Sequence, residues 1–151
     1  MGKLTAKKRA ITIVAGVIVI LSVFSGFSSQ KSKLNLESML EQRTNIMQKA
    51  LFSQVSGEYA EAKLAEIETN PLLMEDIKSL RSFDDTDMEV VRSMKVVDVK
   101  PQQSFMEYET YEVKVLWEIQ EKGTNSFMEE DYYVVLKAVG DTYKLSNFDV
   151  K

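Results

Sequence analysis

The sequence predicts an α+β protein with an N-terminal transmembrane helix, about three further helices and a four-stranded antiparallel sheet. Three observations lead to this prediction. An uncharged apolar run lies near the start, apolar residues then recur at the period of an α-helix, and in the second half they recur at the period of a strand. The chain has 151 residues, and the ~120 left after the membrane segment suffice for one core.

The apolar run extends from Ala10 to Phe27, 18 residues without a charge. As a helix rising ~1.5 Å per residue it covers about 27 Å, close to the thickness of the hydrocarbon core. It is preceded by four basic residues, Lys3, Lys7, Lys8 and Arg9. The positive-inside bias then predicts a cytoplasmic tip at residues 1–9, a single-pass helix at 10–28, a linker at 29–35 and an extracytoplasmic domain at 36–151.

A cleaved signal peptide is the alternative for this segment, because a basic start and an apolar run that ends in small residues look similar. Cleavage would fall near Ser28 or Ser29 and would make the domain a secreted factor. The chain contains no cysteine, which excludes a lipoprotein anchor and any disulfide framework.

The charge is distributed unevenly about the apolar run. The residues after Phe27 include 15 basic and 23 acidic ones, a net charge of −8. Nucleic acid and anionic lipid headgroups are therefore poor candidate partners for the domain.

The first predicted helix of the domain starts at Asn35, whose side chain can cap it. Its apolar residues fall in one sector at ~100° per residue: Leu36, Met39, Leu40, Met47, Ala50, Leu51 and Val55. The apolar stripe moves to the opposite side after Gly57, where it consists of Ala60, Leu64 and Ile67. A kink or break near Ser56 and Gly57 follows.

A third helix is predicted after Asn70 and Pro71, with Asn70 as the cap and proline in the first turn. Its expected apolar face is Leu73, Ile77 and Leu80. An acidic stretch ends the helical half: Asp84, Asp85, Asp87 and Glu89. Counted from Asp85 it lacks the glycine and the glutamate of an EF-hand loop, so a solvated turn is favoured over a calcium site, and no metal is expected.

Four strands are predicted in the second half. The first runs from Met88 to Val99, closed by Pro101, and the second buries Tyr111, Val113, Val115, Trp117 and Ile119 on one face. A turn at residues 121–124 leads to a return strand from Phe127 to Val139, which buries Tyr132, Val134, Leu136 and Ala138. Gly140 and Asp141 form another turn before a last strand from Tyr143 to Val150.

This order of elements resembles the nuclear transport factor 2-like superfamily, also called cystatin-like or SnoaL-like. The stretch from Val139 to Val150, VGDTYKLSNFDV, is similar to the closing strand of many bacterial members, where a Gly-Asp turn leads to an aromatic residue, a lysine and an alternating strand. The resemblance implies that the helices pack into the concave face of a curved sheet. A basic tip, one span and such a domain also look like the bitopic scaffold proteins of type IV secretion and conjugation systems.

Catalytic chemistry is poorly represented in the sequence. There is no histidine and no cysteine, so the usual base, nucleophile and zinc ligands are missing. The residues expected to face inward are apolar or tyrosine, and no paired carboxylates are expected among them. We therefore expect a protein that is not an enzyme and needs no cofactor.

A contact surface is the remaining candidate site. Tyr108 and Tyr133 fall on the outer face of the sheet by alternation, and Glu129 and Asp131 can share that face. The sequence thus favours a membrane-anchored interaction module whose partners are other envelope proteins or itself, as in conjugation or secretion machinery. The alternative is a binder of a small apolar ligand in the cone between helices and sheet.

Overall fold

The computed structural model describes residues 33, 35–83 and 89–151. The predictions for the cytoplasmic tip, the transmembrane helix at 10–28 and most of the linker lie outside these residues, as do those for Asp84, Asp85 and Asp87. Among the residues that are described, no helix is long and apolar enough to cross a membrane.

Three helices precede the sheet, as predicted. Helix α1 covers residues 35–51, α2 covers Gly57–Ile67 and α3 covers Leu72–Ser82. The predicted break between the first two is confirmed: Ser56 caps α2, and its hydroxyl accepts the Tyr59 N–H at 3.2 Å. Two apolar stripes on opposite sides of one straight helix could not both reach the core, and the break allows each to do so.

Two predicted helix caps are wrong. Asn35 is itself helical, and so is residue 33, because asparagine inside a helix costs only a few tenths of a kcal/mol and does not force a start. At α3 the cap position belongs to Pro71, which makes no side-chain cap hydrogen bond. Asn70 instead contributes its backbone carbonyl, which accepts the Ser146 hydroxyl at 3.1 Å.

The four strands form one antiparallel sheet in the order β1-β2-β3-β4. They are β1 (Val90–Phe105), β2 (Tyr108–Glu121), β3 (Thr124–Val139) and β4 (Thr142–Val150). Each strand pairs with the next one along the chain, so short turns are sufficient to connect them. The α+β class with three helices and this sheet is thus confirmed.

The two predicted turns are confirmed. Between β2 and β3, Lys122 and Gly123 both have positive φ, 49° and 85°, which is the type I′ conformation that matches the twist of paired strands. Between β3 and β4, Gly140 has φ 61°, a value that glycine adopts without steric cost.

The predicted end of β1 is wrong, since the strand continues through Pro101 to Phe105. Proline lacks an N–H and would interrupt a central strand, but β1 is an edge of this sheet and has one side free of ladder hydrogen bonds. The pairing with β2 shifts register between Pro101 and Gln103, and such an irregularity accommodates the ring.

The core lies between the helices and one face of the sheet, called here the inner face. Helix residues Leu36, Leu40 and Leu72 pack in one cluster with inward strand residues that alternate as predicted: Tyr111, Val113, Val115, Trp117, Tyr132, Val134 and Leu136. In α3 the buried residues are Leu72 and Asp76, whereas the predicted Leu73, Ile77 and Leu80 are only half-buried. Asp76 lies on the buried side of α3 and forms an ion pair with Arg43.

Candidate functional site

A cluster of charged side chains lies where the three helices meet the sheet. We call it the Arg43 cluster: Arg43 from α1, Glu68 from the C-terminal cap of α2 and Asp76 from α3. The position of Glu68 is set by its backbone, which forms a parallel bridge with Leu145 of β4. The cluster therefore ties all three helices together against β4.

The guanidinium of Arg43 binds Asp76 through two parallel hydrogen bonds, from Nε to Oδ2 and from Nη2 to Oδ1, both at 2.7 Å. This bidentate geometry is the strongest that an arginine and a carboxylate make. Nε also lies 3.2 Å from Glu68 Oε1, but its hydrogen is directed to Asp76. Among the side chains that the structure describes, neither oxygen of Glu68 has a hydrogen-bond partner.

Burial raises the pKa of Glu68 from 4.5 to about 8, and the neighbouring Asp76 carboxylate adds to the rise while Arg43 opposes it. The side chain of Glu68 is fully buried, where an unpaired charge costs far more than a neutral acid. The raised pKa favours the neutral form of Glu68 near neutral pH, and the bidentate contact between Arg43 and Asp76 is the ion pair of the cluster.

Aromatic rings continue from the cluster across the inner face. The Arg43 guanidinium lies 5.2 Å from the centroid of Phe148, which stacks on Tyr132 at 4.3 Å. Trp117 donates its Nε1–H to the Tyr132 hydroxyl at 3.0 Å, and that hydroxyl donates to Glu130. Burial, with Glu130 beside the hydroxyl, raises the pKa of Tyr132.

The sequence interpretation missed this pair of inward carboxylates, and the expectation of none is wrong. Helical spacing could have revealed all three charged residues. Arg43 is three residues after Leu40, Glu68 is four after Leu64 and Asp76 is four after Leu72, and each of these leucines is buried. A charge at such a spacing shares the buried face.

The Arg43 cluster has little capacity for catalysis in this conformation. A general acid must lie within hydrogen-bond reach of its substrate, yet the side chain of Glu68 is 0% exposed and that of Asp76 is 6% exposed. The arrangement instead suits a structural role that connects the helices. In the described part of the chain, no group of three or more acidic, histidine or cysteine side chains could hold a metal ion.

The predicted contact residues lie on the opposite side of the sheet, called here the outer face. Tyr133 is 40% exposed and Tyr108 is 37% exposed. Glu129 and Asp131 alternate with inward residues of β3 and share Lys114 of β2, whose ammonium lies 3.8 and 3.9 Å from them. The structure brings Glu129, Asp131 and Tyr133 side by side on β3, and it places Tyr108 on β2 opposite Lys137.

A cleft of about 590 Å³ runs along α3, where Met74, Ile77 and Arg81 are among its lining residues. It lies on α3 and not between the helices and the sheet, where the apolar ligand was predicted. That ligand stays a prediction.

The sequence matches no protein-family model and no curated protein.

Proposed function

We propose that this chain is a single-pass membrane protein whose domain at residues 36–151 is a non-catalytic interaction module outside the cytoplasm. In this proposal the segment from Ala10 to Phe27 is the anchor, and the domain is a scaffold or accessory part of an envelope assembly such as conjugation or secretion machinery. The proposal includes a curved sheet of the nuclear transport factor 2-like kind, with the helices in its concave face.

The outer face of the sheet carries the proposal. It presents large apolar side chains to solvent, with Phe127 69% exposed and Tyr133 40% exposed, among charged residues of both signs. Aromatic side chains within a polar rim are typical of protein contact surfaces. The missing histidine and cysteine support a role in binding over one in catalysis.

Membrane topology is the first test. If the apolar segment spans the membrane, protease added to cells stripped of their wall or outer membrane should digest the domain and spare the N-terminal tip. The protein should stay with membranes in high salt and alkali, because burial of apolar area holds it there. A mature N-terminus near Ser28 or Ser29 would contradict the anchor and favour the secreted factor.

Partner recovery is the second test. The full chain, cross-linked in membranes and purified, should recover other envelope proteins. Tyr133→Ser should reduce that recovery several-fold, because it removes an aromatic anchor from the outer face. Tyr59→Ser is the matched control, since Tyr59 is 53% exposed on α2 and should have no effect. Recovery of the chain alone, under conditions that hold known complexes, would reject the scaffold function.

A further inference from the structure

The outward residues of β3 form a nearly self-complementary pattern about Tyr133. Four residues to either side lie Glu129 and Lys137, which have opposite charges, and six residues to either side lie Phe127 and Val139, which are both apolar. Phe127 is 69% exposed and Val139 is 40% exposed. Residues an even number of positions apart on a strand point to the same face, so all five share the outer face.

The neighbouring strand β2 repeats this pattern. Glu112 pairs with Tyr133 across the ladder, and four residues to either side of it are Tyr108 and Leu116, both of which are apolar over most of their surface. A two-fold axis that crosses the strands at Tyr133 and Glu112 would therefore place apolar groups against apolar groups and an acid against a base.

We propose that the outer face binds a second copy of this chain, face to face and with antiparallel strands, around a two-fold axis at Tyr133. This proposal deepens the proposed function by naming a partner for the outer face, and it rests on that function. An isologous interface requires one patch to be complementary to itself after a half turn. The pattern on β2 and β3 has this property four and six residues from Tyr133, but not two residues away, where Asp131 would meet Val135.

Charge supports the second copy as the occupant. At one end of the outer face, Glu129 and Asp131 share a single ammonium, that of Lys114, so one negative charge is unbalanced. At the other end, the ammonium of Lys137 lies 3.3 Å from Glu107, whereas the ammonium of Lys144 donates to the Ala65 carbonyl of α2 and does not add to the charge of the outer face. The half turn places the Glu129 carboxylate of one copy against the Lys137 ammonium of the other, which is the charge match of the proposed interface.

Glu112 would meet its own counterpart at the axis, which alone would be repulsive. The ammonium of Lys151 lies 2.8 Å from Glu112 and 5.8 Å from the centroid of the Tyr133 ring. Each copy therefore brings a neutralising cation to the axis.

The area of the outer face also bears on the proposed dimer. The sheet has four strands about 4.8 Å apart. With about 14 residues per strand and ~3.3 Å per residue, the outer face measures roughly 900 Å². A typical specific interface buries about 800 Å² on each partner. The full outer face is thus comparable in area to one partner's share of a typical interface, and the curvature proposed above reduces the part that two copies can bury.

Cysteine cross-linking tests the geometry in membranes with the full chain, which has no cysteine of its own. Sheets packed face to face lie ~10 Å apart, beyond the ~7 Å Cα limit of a disulfide, so the probe is a short bis-maleimide. Asp149→Cys keeps Tyr133 in place and lies level with it on β4, so it should cross-link to itself and shift the 17.2 kDa chain to twice that mass. Tyr59→Cys, an exposed control on α2, should stay monomeric.

Register is tested by mixing variants. Glu129→Cys should not cross-link to itself, because its two copies would be about 26 Å apart, eight residues at ~3.3 Å each. Coexpressed with Lys137→Cys, it should give the doubled mass. Failure of Asp149→Cys to cross-link, or self-linking of Glu129→Cys, would overturn the proposed dimer.

A charge exchange gives an independent measurement by sedimentation of the full chain in detergent. Glu129→Lys alone and Lys137→Glu alone should each lose the dimer, since like charges meet twice at the interface. Their mixture should regain it as a heterodimer, because both contacts are then between opposite charges. No dimer in the wild type or in the mixture would overturn the inference, whereas recovery of other envelope proteins would still support the proposed function.

Discussion

Glu68→Gln should make the stability of the fold less sensitive to pH. The substitution keeps the shape of the side chain but removes the group that ionises, and Glu68 is the acid whose two oxygens are buried without a hydrogen-bond partner among the described residues. The groups that face it are Arg43 from α1 and Asp76 from α3.

The expected magnitude follows from the pKa of Glu68, which is about 8 in the folded protein against an ordinary value of 4.5. Between these pH values the folded state holds a proton that the unfolded chain has released, so the free energy of unfolding falls as pH rises. Each pH unit corresponds to about 1.4 kcal/mol, and the whole interval to a loss on the order of 5 kcal/mol. This stabilising contribution is complete below pH 4.5 and lost above pH 8.

The assay is denaturant unfolding of the purified chain at several pH values from 4.5 to 9, and the fluorescence of Trp117 is the signal that reports unfolding. Near pH 4.5 Glu68→Gln should be about as stable as wild type, and above pH 8 it should be several kcal/mol more stable. Glu75→Gln is the matched control, because Glu75 is exposed beside Asp76 and the same change there should follow wild type. Other titrating groups are common to all three proteins and cancel in the differences. A constant difference between Glu68→Gln and wild type across this range would refute the reasoning.

Three further predictions concern packing and turn conformation, each tested by denaturant unfolding monitored by circular dichroism, because Trp117 is the only tryptophan. Trp117→Ala should cost about 3 to 5 kcal/mol through loss of buried contacts, and native Trp117 should emit at a wavelength typical of a buried indole; emission of a fully exposed indole would contradict the strand register. Arg43→Met should cost about 3 kcal/mol at neutral pH, because it leaves Asp76 buried and unpaired; a neutral effect would show that the cluster does not hold the helices. Gly123→Ala should cost about 1 kcal/mol, since its φ of 85° disfavours a side chain, while Gly57→Ala, at the start of α2 with open space around it, should be neutral or slightly stabilising.

The sheet was largely predictable from the sequence. Alternation in β2 and β3 identified the buried residues of both strands, from Tyr111 to Trp117 and from Tyr132 to Leu136, because a strand with one face on a core repeats every two residues. The turns were predictable for a related reason: Gly123 and Gly140 occupy positive φ, which few other residues adopt.

The helix boundaries were less predictable, because the signals that mark them are weak. An asparagine before an apolar run suggests a cap at Asn35 and at Asn70, yet neither forms one. A cap contributes only about 1 kcal/mol, and the packing of a whole apolar face can outweigh it. The end of β1 was misplaced because Pro101 stops a central strand but not an edge strand.

By itself the sequence determined the α+β class, the phase of the strands and the exposure of Tyr108 and Tyr133, because these follow from short-range periodicity along the chain. Only the tertiary structure decided that Arg43, Glu68 and Asp76 meet. They are separated by up to 33 residues, on α1, at the C-terminal cap of α2 and on α3, and no local pattern specifies which helices share a buried space. The raised pKa of Glu68 has the same origin, since it depends on the exclusion of water and on the nearby carboxylate that the fold supplies.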